Sequence, residues 1–167
     1  AARRADITRV VHTSSLMTVW GYLHPDHPGN QSEQASPLVA GDAPARPMGT
    51  YALTKALSEE IAEYYARRYK MEVVSLRIAA PIDIGRKSDQ TEAVRPQTVP
   101  FSELAEVYQS ALRVPLDEYR VVTVVGKDAS HIWDIQAAQE TLKYFPQWSH
   151  RAHGGTVGDL FSDVVAE

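Results

Sequence analysis

Residues 50–78 read TYALTKALSEEIAEYYARRYKMEVVSLRI, a helical pattern that passes directly into a strand pattern. Thr50 is a fair N-cap, and a helix is predicted over Tyr51 to Tyr69. Leu53, Leu57, Ile61 and Tyr64 fall on one stripe of it, and Tyr51, Lys55, Ser58 and Ala62 lie on roughly the opposite side. Glu72 to Ile78 is the strand. Working outward, Val10-Val11-His12-Thr13 is a β-branched run that ends in Ser14-Ser15, and Tyr119 to Val125 is another, stopped by Gly126. Helical patterns recur at Phe101 to Leu112 and Trp133 to Tyr144, and a last short helix is expected over Thr156 to Val165. The proline-rich stretches 16–49 and 79–100 read as loops. Strands that alternate with helices and are continuously apolar predict an α/β domain whose parallel sheet is covered on both faces. Three strands are few for such a sheet, and an edge as apolar as Val10-Val11 is normally paired.

Composition narrows the function classes. A chain of 167 residues with 44% hydrophobic content can form one domain with a real core. The net charge of -4 and the scattered basic residues suggest neither a nucleic-acid footprint nor a membrane-surface patch. No apolar run approaches the roughly 20 residues that span a bilayer. The chain has no cysteines, which excludes disulfides and thiolate chemistry and fits a reducing compartment, so a cytoplasmic enzyme or binding domain is expected. The opening Ala1 to Asp6 reads like the end of a helix already under way, as if the chain began inside a larger fold. His24, Asp26 and His27, and His150 with His153, lack the helical spacing or cysteines that make a zinc motif specific, so no metal is expected.

Three features occur in order: Thr13-Ser14-Ser15 at a strand end, Tyr51-x-x-x-Lys55 at a helix start, and Leu76-Arg77-Ile78 on the next strand. Ligands of an open α/β sheet sit beyond the carboxyl ends of its strands. Ser15 falls there, and so does the first turn of the Tyr51 helix if the preceding loop brings it back. On a helix, positions i and i+4 are neighbours, about 5–6 Å apart between Cβ atoms. A free phenol is a poor base at neutral pH, but a neighbouring ammonium favours the phenolate. A tyrosine so placed can exchange a proton with a substrate hydroxyl or carbonyl, and a serine hydroxyl can donate to the same oxygen. A hydride moving at the carbon needs a cofactor, since no side chain carries one. Taken singly, each feature has an ordinary explanation: a chance spacing among 8 tyrosines, a turn or cap, an ion-paired arginine. Their order and placement together point to chemistry.

These residues also carry a resemblance. Arg9-Val10-Val11-His12-Thr13-Ser14-Ser15 followed by Val19-Trp20-Gly21 resembles a strand and loop that end in Val-Tyr-Gly. Tyr51 to Glu60 resembles a Tyr-Gly-x-Ser-Lys-x-x-x-Glu helix, and Leu76-Arg77-Ile78 through Gly85 resembles the strand and loop that close over a nicotinamide. Val99-Pro100-Phe101-Ser102 resembles a helix start near a substrate pocket, and Trp133-Asp134 with Leu142-Lys143-Tyr144-Phe145-Pro146 resembles a closing helix. All are features of the extended short-chain dehydrogenases/reductases, the NAD-dependent epimerase/dehydratase family. The resemblance covers most of the chain and is most specific at the Tyr/Lys helix. It implies an incomplete Rossmann-like parallel sheet, the C-terminal half of a doubly wound NAD(P)-binding fold. Residues 1–85 would be the second half of the nucleotide fold with the catalytic residues, and residues 86–167 a small substrate-binding and C-terminal region.

The resemblance also implies roles. Tyr51 is the acid/base, Lys55 binds the nicotinamide ribose and tunes Tyr51, and Ser15 polarises the substrate. Counting back from Gly21 instead puts the serine position at Leu16, with Thr18 as the fallback. Lys55, Tyr51, Ala80 and Pro81 would contact NAD or NADP, and Ser15, Met17, Thr18 and Arg77 a small-molecule substrate. The family's helix is often part of a dimeric contact, which implies a homodimer. Family dehydratases carry an Asp-Glu pair where this chain has Leu16-Met17, which disfavours a dehydratase. The short region after Gly85 points away from bulky nucleotide-sugars. The implied activity is an NAD(P)-dependent oxidoreductase or epimerase acting on a sugar, uronate or other small hydroxy or carbonyl compound. The family's Gly-x-x-Gly-x-x-Gly after a first strand is missing, as is an acidic residue for the adenosine ribose; Gly154-Gly155 with Gly158 reads as a turn. The dinucleotide-gripping half is therefore expected outside these residues. The alternative is a non-catalytic fragment or interaction module that pairs through an exposed sheet edge.

Overall fold

Strand β1 (Arg9–Ser15) and strand β2 (Glu72–Ile78) run parallel, with Arg9 opposite Glu72 and Ser15 opposite Ile78. A computed structural model describes residues 1–23, 38–85, 95–117 and 119–153. Beyond β2 come the two-residue strands β3 (Pro81–Ile82) and β4 (Val99–Pro100), which pair parallel with each other. Strand β5 (Tyr119–Val124) joins the far side of β2, also parallel, giving the order β1-β2-β5. Helices α1 (Gly49–Tyr69), α2 (Phe101–Arg113) and α3 (Gln136–Leu142) pack around this sheet. The expected α/β layout with three parallel strands is what forms, and β5 comes from beyond residue 85, so the sheet draws on both portions of the chain. Among the described residues no strand pairs with the outer edge of β1. No helix among them is long and apolar enough to cross a membrane. The helix expected over Thr156 to Val165, and residues His24, Asp26 and His27, lie outside the described residues.

The two faces of the sheet differ in chemistry. On one, Val11, Val74, Leu76, Val122 and Val124 pack with Leu104, Val107 and Ala111 of α2, Ala138 and Leu142 of α3, and Trp20 and Trp133. On the other, α1 meets polar groups: its Ser58 bonds His12, and its Glu59 bonds Ser14 and Arg77. The polar and apolar positions alternate along β2, as a strand's period of two requires, and residues 73–77 are all buried.

Helix α1 differs from its sequence reading at its start. It starts at Gly49, whose φ of +82° suits a residue without a Cβ, so Thr50 lies inside the helix and Met48 occupies the N-cap without a side-chain bond. The stripe Leu53, Leu57, Ile61 and Tyr64 faces outward, with exposures of 48%, 54%, 59% and 57%. The buried positions are Ala52, Ala56, Glu59 and Ala66. Small side chains let the helix approach the sheet closely, and the bulky apolar ones are left on the far side. Helix α3 is shorter than Trp133 to Tyr144. Asp134 Oδ1 accepts the Gln136 N–H at 2.8 Å, which starts the helix there, while Trp133 is wholly buried and bridges to Val39.

Candidate active site

The carboxyl ends of β1 and β2 and the first turns of α1 border a cleft of about 360 Å³. Ser15, Met17, Tyr51, Lys55, Ala80 and Pro81 all line it, as do Trp20, Arg95 and Gln97. The loop before α1 is brought back by backbone bonds, Gly21 N–H to Arg46 O at 3.0 Å and Arg46 N–H to Thr18 O at 2.7 Å. These deliver Tyr51 to the end of β1.

Tyr51 and Lys55 face the same space. The Lys55 Nζ lies 5.9 Å from the centroid of the Tyr51 ring and donates to Thr13 O at 3.0 Å. An ammonium carries three donors, and among the described residues Lys55 uses one. Tyr51 is 58% exposed, its ring open to the cleft mouth.

The hydroxyls near the end of β1 separate by their partners. Ser14 is buried and donates to Glu59 Oε1 at 2.5 Å. Thr18 is fully buried and donates to Ser15 O at 2.9 Å, so it does not line the cleft. Ser15 Oγ accepts the Met17 N–H at 3.2 Å, which fixes the oxygen and leaves its proton without an acceptor among the described residues. Of the three, Ser15 is the hydroxyl able to donate to a ligand here.

Arg77 does not reach the cleft. It is 3% exposed, and its guanidinium bonds both carboxylate oxygens of Glu59, at 3.0 and 2.7 Å, and the carbonyl of Ala43 at 2.7 Å. The substrate role expected for Arg77 is replaced by a structural one, because burial between β2 and α1 demands a partner for its charge. The same replacement applies to Thr18.

A second polar chain crosses the sheet beneath Lys55. Tyr119 OH donates to Ser75 Oγ at 3.0 Å, and Ser75 Oγ lies 2.9 Å from His12 Nδ1. His12 Nε2 lies 3.0 Å from Ser58 Oγ, which donates to Lys55 O at 2.7 Å. Since the Ser58 proton goes to Lys55 O, His12 Nε2 must carry the proton of that pair, and Nδ1 accepts from Ser75. The chain is satisfied with a neutral ring. Burial, with a lesser contribution from the Lys55 charge, holds the His12 pKa below its ordinary value of 6.5, against the opposing pull of Glu59. Burial likewise pushes the Tyr119 phenol up to about 12.

Sequence reasoning passed over Trp20, Arg95 and Gln97. All three sit in stretches read as loop, and the signal for the last two was their position just ahead of Val99-Pro100-Phe101, where α2 begins at the carboxyl end of the sheet.

The model of the NAD dependent epimerase/dehydratase family matches residues 1–98. The chain belongs to that family. Uronate dehydrogenase of Pseudomonas syringae pv. tomato is 29% identical over 147 residues, covering 88% of this chain and 48% of its own length. L-arabinose 1-dehydrogenase (NAD(P)(+)) of Haloferax volcanii is 30% identical over 99 residues, 56% of this chain and 39% of its own. Among solved structures, a mutant uronate dehydrogenase from Agrobacterium tumefaciens complexed with NAD superposes with a TM-score of 0.69 at 20% identity, covering 92% of this chain and 52% of that one. The fold is that of these Rossmann-like dehydrogenases, and the chain spans about half the length of the relatives it matches.

Proposed function

We propose that this chain supplies the catalytic half of an NAD(P)-dependent oxidoreductase that oxidises a hydroxyl of a sugar or sugar acid, or runs the reverse reduction. The observation that carries the reading is the convergence of Tyr51, Lys55 and Ser15 on one cleft. Lys55, with donors to spare, fits the hydroxyls of a nicotinamide ribose, and Ala80 and Pro81 offer an uncharged wall beside it. The bound nicotinamide supplies the hydride acceptor or donor. Tyr51 takes the proton of the substrate hydroxyl, with the Lys55 ammonium 5.9 Å from its ring. Ser15 donates to the same oxygen as it becomes a carbonyl. Arg95 is among the residues that line the cleft, and guanidinium pairs in bidentate fashion with carboxylate. That match, together with the names of the relatives, favours a uronate.

The test is Tyr51→Phe in the full-length protein, assayed by nicotinamide absorbance with uronates and aldoses. Turnover should fall by about 10²–10⁴-fold with the circular dichroism unchanged, and undiminished turnover overturns the reading. Residues 86–167 act on the substrate side by supplying Arg95 and Gln97, besides completing the sheet with β5.

The remainder of the dinucleotide, in this proposal, is held by a Gly-rich βαβ unit outside these 167 residues, which pairs with the outer edge of β1. Calorimetry should then find weak NAD(P) binding to residues 1–167 alone; tight binding overturns it. The exposed apolar stripe on α1 supports a homodimer through that helix. Ile61→Glu should shift the sedimentation coefficient to that of a monomer. The β1 edge, unpaired among the described residues, and this stripe also favour a second reading, a non-catalytic pairing module, which unchanged partner binding in a Tyr51→Phe protein with no wild-type turnover on any sugar supports.

A further inference from the structure

Four buried side-chain polar atoms among the described residues lack a hydrogen-bond partner: Trp20 Nε1, Gln97 Oε1, Trp133 Nε1 and His150 Nε2. Folded proteins pair nearly all such atoms, so each exception asks for a reason. Two of the four belong to residues that line the cleft of Tyr51 and Lys55. They are of opposite sense. An indole N–H only donates, and an amide oxygen only accepts. A hydroxyl does both.

Neither residue is on a loose support. Gln97 is 3% exposed, and its backbone carbonyl accepts the Gly126 N–H at 3.0 Å, while Thr98 N–H closes the turn onto Arg95 O at 3.0 Å. Gly126 presses so closely against this turn that a Cβ there would stand 2.1 Å from Thr98 O. The turn is locked to the end of β5. Trp20 is 2% exposed and packs against Trp133, ring centroids 5.9 Å apart. Nothing in the proton transfer assigned to Tyr51, Lys55 and Ser15 uses either group.

We propose that Gln97, whose amide oxygen is closed off in the ligand-free cleft and meets a ligand when the side chain turns, is a specificity-determining residue that accepts a hydrogen bond from a ring hydroxyl of the substrate, with Trp20 as a donor lining the same cleft. The inference rests on the sugar-oxidoreductase reading and deepens it: the substrate carries a hydroxyl besides the one being oxidised, which selects a polyhydroxylated ring over a simple hydroxy or carbonyl compound. A ligand without that hydroxyl leaves the amide oxygen unpaired in the bound state, and sites built to bond a hydroxyl reject analogues that lack it.

The experiment uses the full-length protein with NAD(P), the preferred sugar acid and its set of monodeoxy analogues, for wild type and Gln97→Leu. In wild type, removing one particular hydroxyl should lower kcat/KM by about 10–100-fold, the cost of one buried polar group left unpaired. Gln97→Leu should remove most of that ratio, at that position only, mainly through KM. Because leucine removes an unpaired polar group from a buried site, the ligand-free variant should melt at the wild-type temperature or above, while the stabilisation produced by the sugar acid diminishes. A variant that loses the same factor on every analogue, or none on any, overturns the inference. So does a lowered melting temperature with wild-type discrimination, which marks a structural role. Wild-type protein that turns over no sugar overturns the underlying reading first and this inference with it; wild-type turnover with undiminished discrimination in Gln97→Leu overturns this inference alone.

Discussion

Glu59→Ala removes the carboxylate that ties β1, α1 and β2 together. Glu59 and Arg77 have side-chain exposures of 6% and 3%, and Ser14, 1% exposed, donates to the same carboxylate. With Glu59 gone, the guanidinium keeps only the Ala43 carbonyl among its described partners, so a charge remains buried without a counter-charge. Breaking a buried pair from one side costs about 3–5 kcal/mol, and the stranded Ser14 hydroxyl adds about 1 kcal/mol. We expect urea unfolding of the full-length protein to show a loss of about 4–6 kcal/mol at an unchanged slope against denaturant. The cycle with Arg77→Met and Glu59→Met separates the pair from its surroundings. Removing both charges leaves no uncompensated one, so the double variant should be less destabilised than the sum of the single ones by at least about 2 kcal/mol. A loss below about 1 kcal/mol for Glu59→Ala, or a cycle with no coupling, refutes the claim that this pair is a closed, desolvated link. Ser15 follows Ser14, and Tyr51 shares a helix with Glu59, so kcat should fall more than KM rises in any variant that still folds.

Three further outcomes follow from the same geometry. His12 has a folded pKa below its ordinary 6.5, so the unfolded chain binds more protons in the interval between the two values. Stability is therefore flat above about pH 6.5 and falls as pH drops toward the folded value; urea midpoints across that range should show this slope for wild type and less of it for His12→Asn. The groups that face His12 are Lys55, Ser58 and Glu59 from α1 and the Ser75–Tyr119 pair from the sheet, so in the Glu59→Ala protein, which lacks the charge that raises the His12 pKa, the His12-linked loss should continue to a lower pH. Gly126→Ala places a Cβ 2.1 Å from Thr98 O although its φ of -67° suits alanine, so the cost is steric. Calorimetry should find a loss of about 1–3 kcal/mol, and KM should rise as the turn carrying Gln97 is displaced. Arg95→Met should raise KM for a uronate and leave it unchanged for the matching aldose; an equal effect on both removes the carboxylate-binding role.

Much of this was legible in the chain because it is written in local pattern. The strands at Val10, Val73 and Val121 come from β-branched runs, and the Tyr51–Lys55 pair needs only one helical turn to meet. What escaped notice depends on tertiary context. The run Glu72 to Ile78 passes as uniformly buried, and it is, but Ser75 and Arg77 alternate with Val74 and Leu76 because one face of the sheet is polar. Arg77 near a strand end suggested a ligand; burial against α1 gave it Glu59 instead. Leu53, Leu57, Ile61 and Tyr64 make a clear apolar stripe, yet periodicity cannot tell whether such a stripe faces its own sheet or something outside it. Arg95 and Gln97 belong to a turn that is held by the end of β5 and Gly126, neither of which is adjacent in sequence.

The packing of α1 explains why polar residues hold the candidate site. A helix that buries three alanines and a glutamate gains little from apolar area, since alanine contributes one methyl apiece. Its flat face tolerates sliding along the sheet, and dispersion among small side chains fixes its position weakly. Directed bonds remove that freedom. Glu59 fixes the helix to Ser14 and Arg77 on adjacent strands, and Ser58 fixes it to His12 one pleat below. Both links lie within one turn of Lys55, whose own Nζ bonds the backbone of β1 at Thr13. Three attachments on neighbouring residues set the rotation and the height of the helix together, and thereby the direction from Tyr51 to Ser15. A hydrophobic replacement of Glu59 and Arg77 can restore stability without restoring that direction, so stability and kcat should part company in the double variant. If they recover together, apolar packing is enough to place the helix, and the polar face of the sheet needs another explanation.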